Sequence, residues 1–411
     1  MKILAISNSF GFGGAQISTL EYFELMKNRV KLRVLMCEGA DERFSSCINS
    51  LGIKTYKAPC NIVMGYPLID VKSLSKLLEW ADVVWLTDVE YLVAPWIKSV
   101  RRIPVIAHLH SYALTCPWWG ALYGFRETCL QTCSLWRITR CKQGINLELS
   151  RIESQSSARA GVYWLLDFVK SPLDYIRWRY LMRDVLENID GYIPVSNELW
   201  RIHVRHIPKL LEKPHIVIYN PVTEPLKHVK PDPDEPYGDY IFYASGSNPV
   251  KGPHLLLEAW KEVSEEYRDL KLYMVGCKGS WVERIGRRKN LKNVVFTEKL
   301  PTREYYGVMY RARAVVMPSI WPEPFGRIPV EANRLGVPAI VSGSGGLSEL
   351  IENNVNGYVL GNVCIRELSD KIKIILQESF IRERIIKFIN SKLNFNKILD
   401  QFVKFLVDIA K

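Results

Sequence analysis

Apolar residues in this chain gather in short runs separated by longer stretches where they recur every three or four positions. In the first half the runs are Ile3–Ile6, Leu32–Met36, Val83–Leu86, Val105–Ala107, Tyr192–Val195 and Ile216–Tyr219, while Gln16–Met26 and Leu74–Trp80 carry the helical period. A run that is apolar throughout has no wet face, so it reads as a strand covered on both sides. Alternation of such strands with helices predicts a parallel sheet. The pattern breaks at Asn220-Pro221, runs through a stretch rich in proline and acid, and resumes with Tyr240–Ala244, Leu272–Val275, Val294–Thr297, Ala314–Met317 and Ala339–Ser342. The expectation is an α/β protein of two doubly wound domains, 1–220 and 240–385, joined by a linker over 221–239. The amphipathic, charged segment 386–411 reads as helical and could pack back on the first domain.

Size agrees, because 411 residues exceed what one hydrophobic core usually supports. There is no run of 18 uncharged apolar residues, and the opening MKILAIS reads as a first strand rather than an export signal, so a cytoplasmic location is expected. The formal net charge of +12 favours anionic partners without choosing among nucleotide, lipid phosphate, nucleic acid and membrane surface.

Chemistry concentrates where strands give way to helices. The glycines of Gly11–Gln16, Gly14 among them, follow the first strand and would let backbone amides approach a phosphate, or simply make a tight turn. Lys251 sits in a small-residue loop after Tyr240–Ala244, where an ammonium could neutralise a diphosphate; an exposed loop lysine is the plainer reading. After Ala314–Met317 comes Pro318-Ser-Ile-Trp-Pro-Glu323-Pro-Phe-Gly326-Arg-Ile-Pro-Val-Glu331. Two prolines stiffen the loop around Glu323, Gly326 opens a helix whose first amides are free for an anion, and Glu331 lies about a turn inside it. Carboxylates so placed suit vicinal hydroxyls, one on a sugar and one on a ribose. The turn Gly343–Gly346 then opens another helix and offers further amides.

This run, continued through Gly336-x-Pro338 to Gly345-Gly346 and Glu349, resembles the core of retaining glycosyltransferase family four, the group 1 glycosyltransferases. Gly13-Gly14-Ala15-Gln16, the segment ending in His110-Ser111-Tyr112, Ile193–Asn197 and Val217–Pro221 are similar to further parts of that family, so the likeness covers roughly residues 1–360. It implies a GT-B fold, two Rossmann-like domains facing a cleft, and transfer of a hexose from a UDP- or GDP-sugar to a glycan or lipid-linked acceptor. It further implies no required cofactor and no catalytic metal. By position, Glu323 would hold donor hydroxyls, with the amides of Phe325 and Gly326 beside the sugar or diphosphate. Glu331 would bind the ribose, Lys251 the diphosphate, Gly14 a phosphate or the acceptor, and His110 would stand near the reacting carbon. Where relatives carry an arginine ahead of the lysine, this chain has Ser245-Gly246-Ser247. Arg327 is therefore a candidate second cation, with a helix-surface arginine as the alternative.

Three features lie outside that pattern. Cys116, Cys129, Cys133 and Cys141 are spaced by 12, 3 and 7 residues, unlike common zinc ribbons, which leaves a structural zinc site or free and partly bridged thiols open. Residues 163–183 interleave aromatic, aliphatic and basic side chains, as does a helix lying on the cytoplasmic membrane face or one packed on its own domain. A nucleotide-sugar epimerase or hydrolase of the same fold is the nearest rival. A nucleic-acid-binding role has no recognisable module behind it.

Overall fold

The computed structural model describes residues 1–7, 13–70, 75–152, 157–232 and 234–411, with the side chains of 157–169 outside that description. Gly11 of the first glycine loop and Leu74 of the expected helix lie outside the described residues.

The first half supplies β1 (Lys2–Ile6), β2 (Lys31–Cys37), β3 (Lys54–Ala58), the hairpin β4 (Cys60–Val63) with β5 (Tyr66–Ile69), and then β6 (Val83–Leu86) and β7 (Val105–Leu109). The small hairpin β8 (Leu122–Tyr123) with β9 (Glu127–Thr128) and then β10 (Gly191–Pro194) complete it. Six of these form a parallel sheet in the order β10-β7-β6-β1-β2-β3. The second half supplies β11 (Tyr240–Tyr243), β12 (Lys271–Val275), β13 (Val294–Thr297), β14 (Ala314–Met317), β15 (Ala339–Ser342) and β16 (Gly357–Leu360). Its parallel sheet runs β13-β12-β11-β14-β15-β16. In each sheet the chain starts at the centre, winds out through two strands, then returns to the other side of its first strand. The crevices of a doubly wound sheet open at that reversal, beyond the carboxyl ends of β1 and β6 and of β11 and β14.

The strands anticipated as apolar runs are mostly the central ones, buried along their whole length. β3 and β16 sit at sheet edges, where one flank is uncovered and the sequence need not be uniformly apolar. Ile216–Tyr219 differs from its reading as a strand. It runs beside β10, with Ile216 and Ile218 donating to Tyr192 and Pro194, but forms only a single bridge at His215.

Two features bring the halves together. The helix Phe395–Ala410 inserts Phe402 into the first core, where its ring lies 4.7 Å from Tyr22 and 4.9 Å from Trp85, centroid to centroid. Between β7 and β10 the chain leaves the first sheet to form the β8–β9 hairpin and two helices, Leu135–Ile152 and Ser157–Asn188. A disulfide joins Cys37, ending β2, to Cys60, opening β4, a pairing the sequence had not suggested.

Candidate active site

Glu323 follows β14 at the reversal of the second sheet and is buried. Its carboxylate accepts from the Ser319 hydroxyl at 3.0 Å and from the Lys251 ammonium. Lys251 ends the short turn Pro249–Lys251, opened by Asn248, whose side chain accepts from the Val250 amide. Gly252, with φ of +70°, lets the chain pass against Pro318, since a Cβ there would stand 2.0 Å from the Pro318 carbonyl oxygen. The loops after β11 and β14 are thus locked together, and the ammonium lies 4.3 Å from the centroid of the Trp321 ring. Sequence reasoning had singled out Lys251 and Glu323 separately; the structure joins them, and adds Ser319 and Trp321.

Gly326, φ +81°, begins the helix Arg327–Arg334, with Phe325 buried just before it. Glu331 is likewise buried: Oε1 accepts from Arg327 Nε at 2.8 Å and from the Tyr306 hydroxyl at 3.3 Å, and Oε2 from the Tyr305 hydroxyl at 3.3 Å. Arg327 corrects the alternative of a helix-surface arginine. Only 8% of it is exposed, and its terminal nitrogens reach into the first domain, to Glu21 at 2.6 and 3.1 Å and to the Ser18 hydroxyl at 3.0 Å. Burial alone would weaken the guanidinium as a base. Glu21 and Glu331 more than offset that and hold its pKa above the ordinary arginine range. With all three kinds of nitrogen engaged, Arg327 is not a loose cation awaiting a diphosphate. Gly14, at the start of the helix Gly14–Met26, abuts it, for a Cβ there would lie 3.5 Å from Arg327 Cδ.

His110 follows β7, at the carboxyl end of the first sheet. Burial, with the nearby Arg327 charge, depresses its pKa to about 3, so the imidazole is neutral near pH 7. Its Nε2 has no hydrogen-bond partner among the described residues, as is also true of both ring nitrogens of His108. His108, given no role, is wholly buried against Tyr22 and Phe402 and lies 4.2 Å from His110, ring to ring.

The cleft edges touch. Glu349 caps the amino terminus of the helix Asn197–His206, accepting from the amides of Asn197 at 3.0 Å and Glu198 at 2.7 Å and from the Tyr219 hydroxyl at 2.8 Å. Ser196 donates to the Pro324 carbonyl, so the Glu323 loop is fastened from the first domain. The turn Gly343–Gly346 had been expected to offer amides to a phosphate. Two of its amides are taken within the protein, Gly343 donating to the Leu360 carbonyl at 3.0 Å and Gly346 to the Glu323 carbonyl at 2.6 Å, so this turn also braces the carboxylate loop.

The four clustered cysteines carry free thiols in the insert. Burial and the neighbouring thiols push Cys133 up to about 12. Cys129, whose burial works the same way, is drawn below the ordinary range by His206 and Arg137. Among the described residues no group of three or more His, Cys, Asp or Glu side chains is placed to hold a metal ion, so the zinc alternative finds no ligand set here. Of the segment 163–183, the described residues Tyr175, Trp178 and Met182 face inward, while Leu173, Ile176 and Tyr180 are exposed. Among the described residues no helix is long and apolar enough to cross a membrane.

Known proteins share both the arrangement and part of the sequence. The Anabaena protein Alr3699/HepE, solved with UDP-glucose, superposes with a TM-score of 0.70 over 99% of this chain and 100% of its own, at 18% identity. TarM of S. aureus, solved with fondaparinux, alpha-GlcNAc-glycerol and UDP, superposes with a TM-score of 0.63 over 98% and 99%, at 13% identity. The fold is GT-B. Residues 228–391 match the family Glycosyl transferases group 1. This GT-B chain is 27% identical over 158 residues to spore coat protein SA of Bacillus subtilis, covering 36% of this chain and 42% of that protein. It is 28% identical over 121 residues to D-inositol 3-phosphate glycosyltransferase of Corynebacterium urealyticum, covering 27% and 28%. The chain spans less than half the length of these curated relatives.

Proposed function

We propose that this protein is a retaining glycosyltransferase of family four. It moves a hexose from a UDP- or GDP-sugar to a hydroxyl of a glycan or lipid-linked acceptor, at the cytoplasmic side of a membrane. The observation that carries the reading is the pairing of half-buried Lys251 with buried Glu323 at the reversal of the second sheet, leading into the Glu331 helix and facing the first domain. A fixed cation beside a buried carboxylate meets the two ends of such a donor. Glu323 accepts from sugar hydroxyls, Lys251 meets the diphosphate, and the amides at Phe325 and Gly326 add partial positive charge.

In the transfer the bond from the anomeric carbon to the diphosphate oxygen breaks and that carbon bonds to the acceptor oxygen on the same face. The acceptor's hydroxyl proton passes to the departing diphosphate. Lys251 stabilises the charge that develops there, and its preorganisation is the source of rate. Neutral His110, with Nε2 free, would line the sugar side, and Gly14 would leave room beside Arg327. The test is incubation of purified protein with UDP- and GDP-hexoses and candidate acceptors, followed by mass spectrometry. Hexose joined to acceptor with its configuration kept is the expected product; free sugar or an epimerised donor as the only product would overturn the reading.

Membrane contact has its own observation. Leu173, Ile176 and Tyr180 recur at helical spacing on the exposed side of Ser157–Asn188, beside Arg177 and Arg179, and Trp136 is 57% exposed on the preceding helix. An apolar stripe flanked by cations suits the interface of an anionic bilayer. Sedimentation with vesicles containing phosphatidylglycerol should carry the protein down, and Ile176→Glu should abolish it.

A further inference from the structure

Glu21 belongs to no motif, and its place is fixed by what it touches. It sits on the first helix, is 2% exposed, and takes both terminal nitrogens of Arg327. Its Oε1 also accepts from the Thr223 amide at 2.6 Å, the Thr223 hydroxyl at 3.2 Å and the Glu224 amide at 2.8 Å, so the strand-to-linker crossing holds it still.

We propose that Glu21 is a positioning residue of the nucleotide grip, acting through Arg327 to keep one oxygen of Glu331 open for the ribose. The proposal rests on the reading of Glu331 as the ribose carboxylate. A guanidinium prefers to fork onto a carboxylate with two parallel bonds, which would occupy both oxygens of Glu331. Here Glu21 holds the terminal nitrogens and Ser18 shares one of them, so only Nε reaches Glu331, and only at Oε1. Oε2 accepts from the Tyr305 hydroxyl at 3.3 Å and, with two lone pairs, keeps a further acceptor site. The grip is thereby completed by the first domain. A donor-binding carboxylate in the matched segment 228–391 depends on a residue outside it.

The experiment is calorimetric titration of the full chain with UDP and with GDP, free of any turnover. Relative to wild type, Glu331→Gln should bind the preferred nucleotide at least about tenfold more weakly, as loss of a charged hydrogen bond requires. Glu21→Gln releases Arg327 to fork onto Glu331 and should weaken binding by about tenfold as well. The double variant Glu21→Gln/Arg327→Gln removes the fork and should bind about threefold or more tightly than Glu21→Gln alone. Removing Arg327 also relieves the charge that Glu21→Gln strands, so urea denaturation accompanies the titrations, and the tightening counts only where both variants are fully folded at the titration temperature. Should Glu21→Gln not fold, Glu21→Asp, which withdraws the carboxylate by one methylene while keeping its charge, should bind about threefold more weakly. Wild-type affinity in either single Glu21 variant, or a double variant no tighter than Glu21→Gln, overturns the proposal while leaving Glu331 as the ribose residue. Wild-type affinity in Glu331→Gln, or no nucleotide binding by the wild type, overturns both.

Discussion

The indole N–H of Trp321 donates to the carbonyl of Gly120 at 2.6 Å, tying the Glu323 loop of the second domain to the cysteine-bearing insert of the first. The same ring lies under the Lys251 ammonium, so one side chain fastens the cleft and seats its cation. Replacing Trp321 by Phe keeps a ring but strands the Gly120 carbonyl, a loss of about 1–3 kcal/mol. Initial rates should show kcat/KM for the donor falling by about tenfold, with most of the loss in KM.

Lys251→Ala removes the cation proposed to meet the departing diphosphate and leaves Glu323 buried with Ser319 alone of its two partners. Its kcat should fall by about 10²- to 10³-fold, as when a preorganised transition-state donor is lost. Glu323→Gln, which keeps the shape, should chiefly depress kcat. Stopped assays at saturating donor separate these effects from weakened binding.

Gly345 has φ of +72°, and a Cβ there would stand 2.3 Å from the Glu323 carbonyl oxygen. That neighbour is backbone and cannot swing away, so Gly345→Ala must move the carboxylate loop. We expect a loss of about 1–3 kcal/mol in stability from the left-handed backbone and the clash together, and kcat reduced at least about tenfold. Chemical denaturation and rates measured on the same preparation check both.

Buried and half-buried imidazoles should make the protein acid-sensitive. Burial depresses His110 to about 3 and both His203 and His254 to about 4, while in the unfolded chain each titrates at ~6.5. Between those values the unfolded state binds more protons than the folded one, so their stabilising effect is full above ~6.5 and declines as pH falls toward 4. Urea midpoints should drop steadily from pH 6.5 to 4.5, and a flat profile there would contradict the assignment. Turnover should show no inflection from His110 above pH 5.

Much of this was legible in the sequence because it is local. The strand-loop-helix order around Glu323, Gly326 and Glu331 depends on neighbours within a dozen residues, and the central strands declare themselves by continuous apolar runs. Glu21 was silent: nothing in Glu21-Tyr22-Phe23 marks a carboxylate that will meet Arg327, 306 positions later. Tyr305, Tyr306 and Ser319 carry no sequence signal of their own; the fold sets them against Glu331 and Glu323. Gly346 misled for a related reason. A glycine turn before a helix suits an anion in isolation, but here its amide is taken by the Glu323 carbonyl.

Phe402 and Leu406 stand among Tyr22, Trp85 and Ile193 in the first core, although the whole second sheet lies between them along the chain. A ribosome making this protein would finish β10 long before the side chains that close its core have been synthesised. The first domain should therefore wait, partly open, until the second has formed and Leu406 has emerged. Closing that corner of the core requires loop closure across most of the polypeptide, beyond local collapse of the first half. Co-translational chaperone demand should be concentrated in that interval.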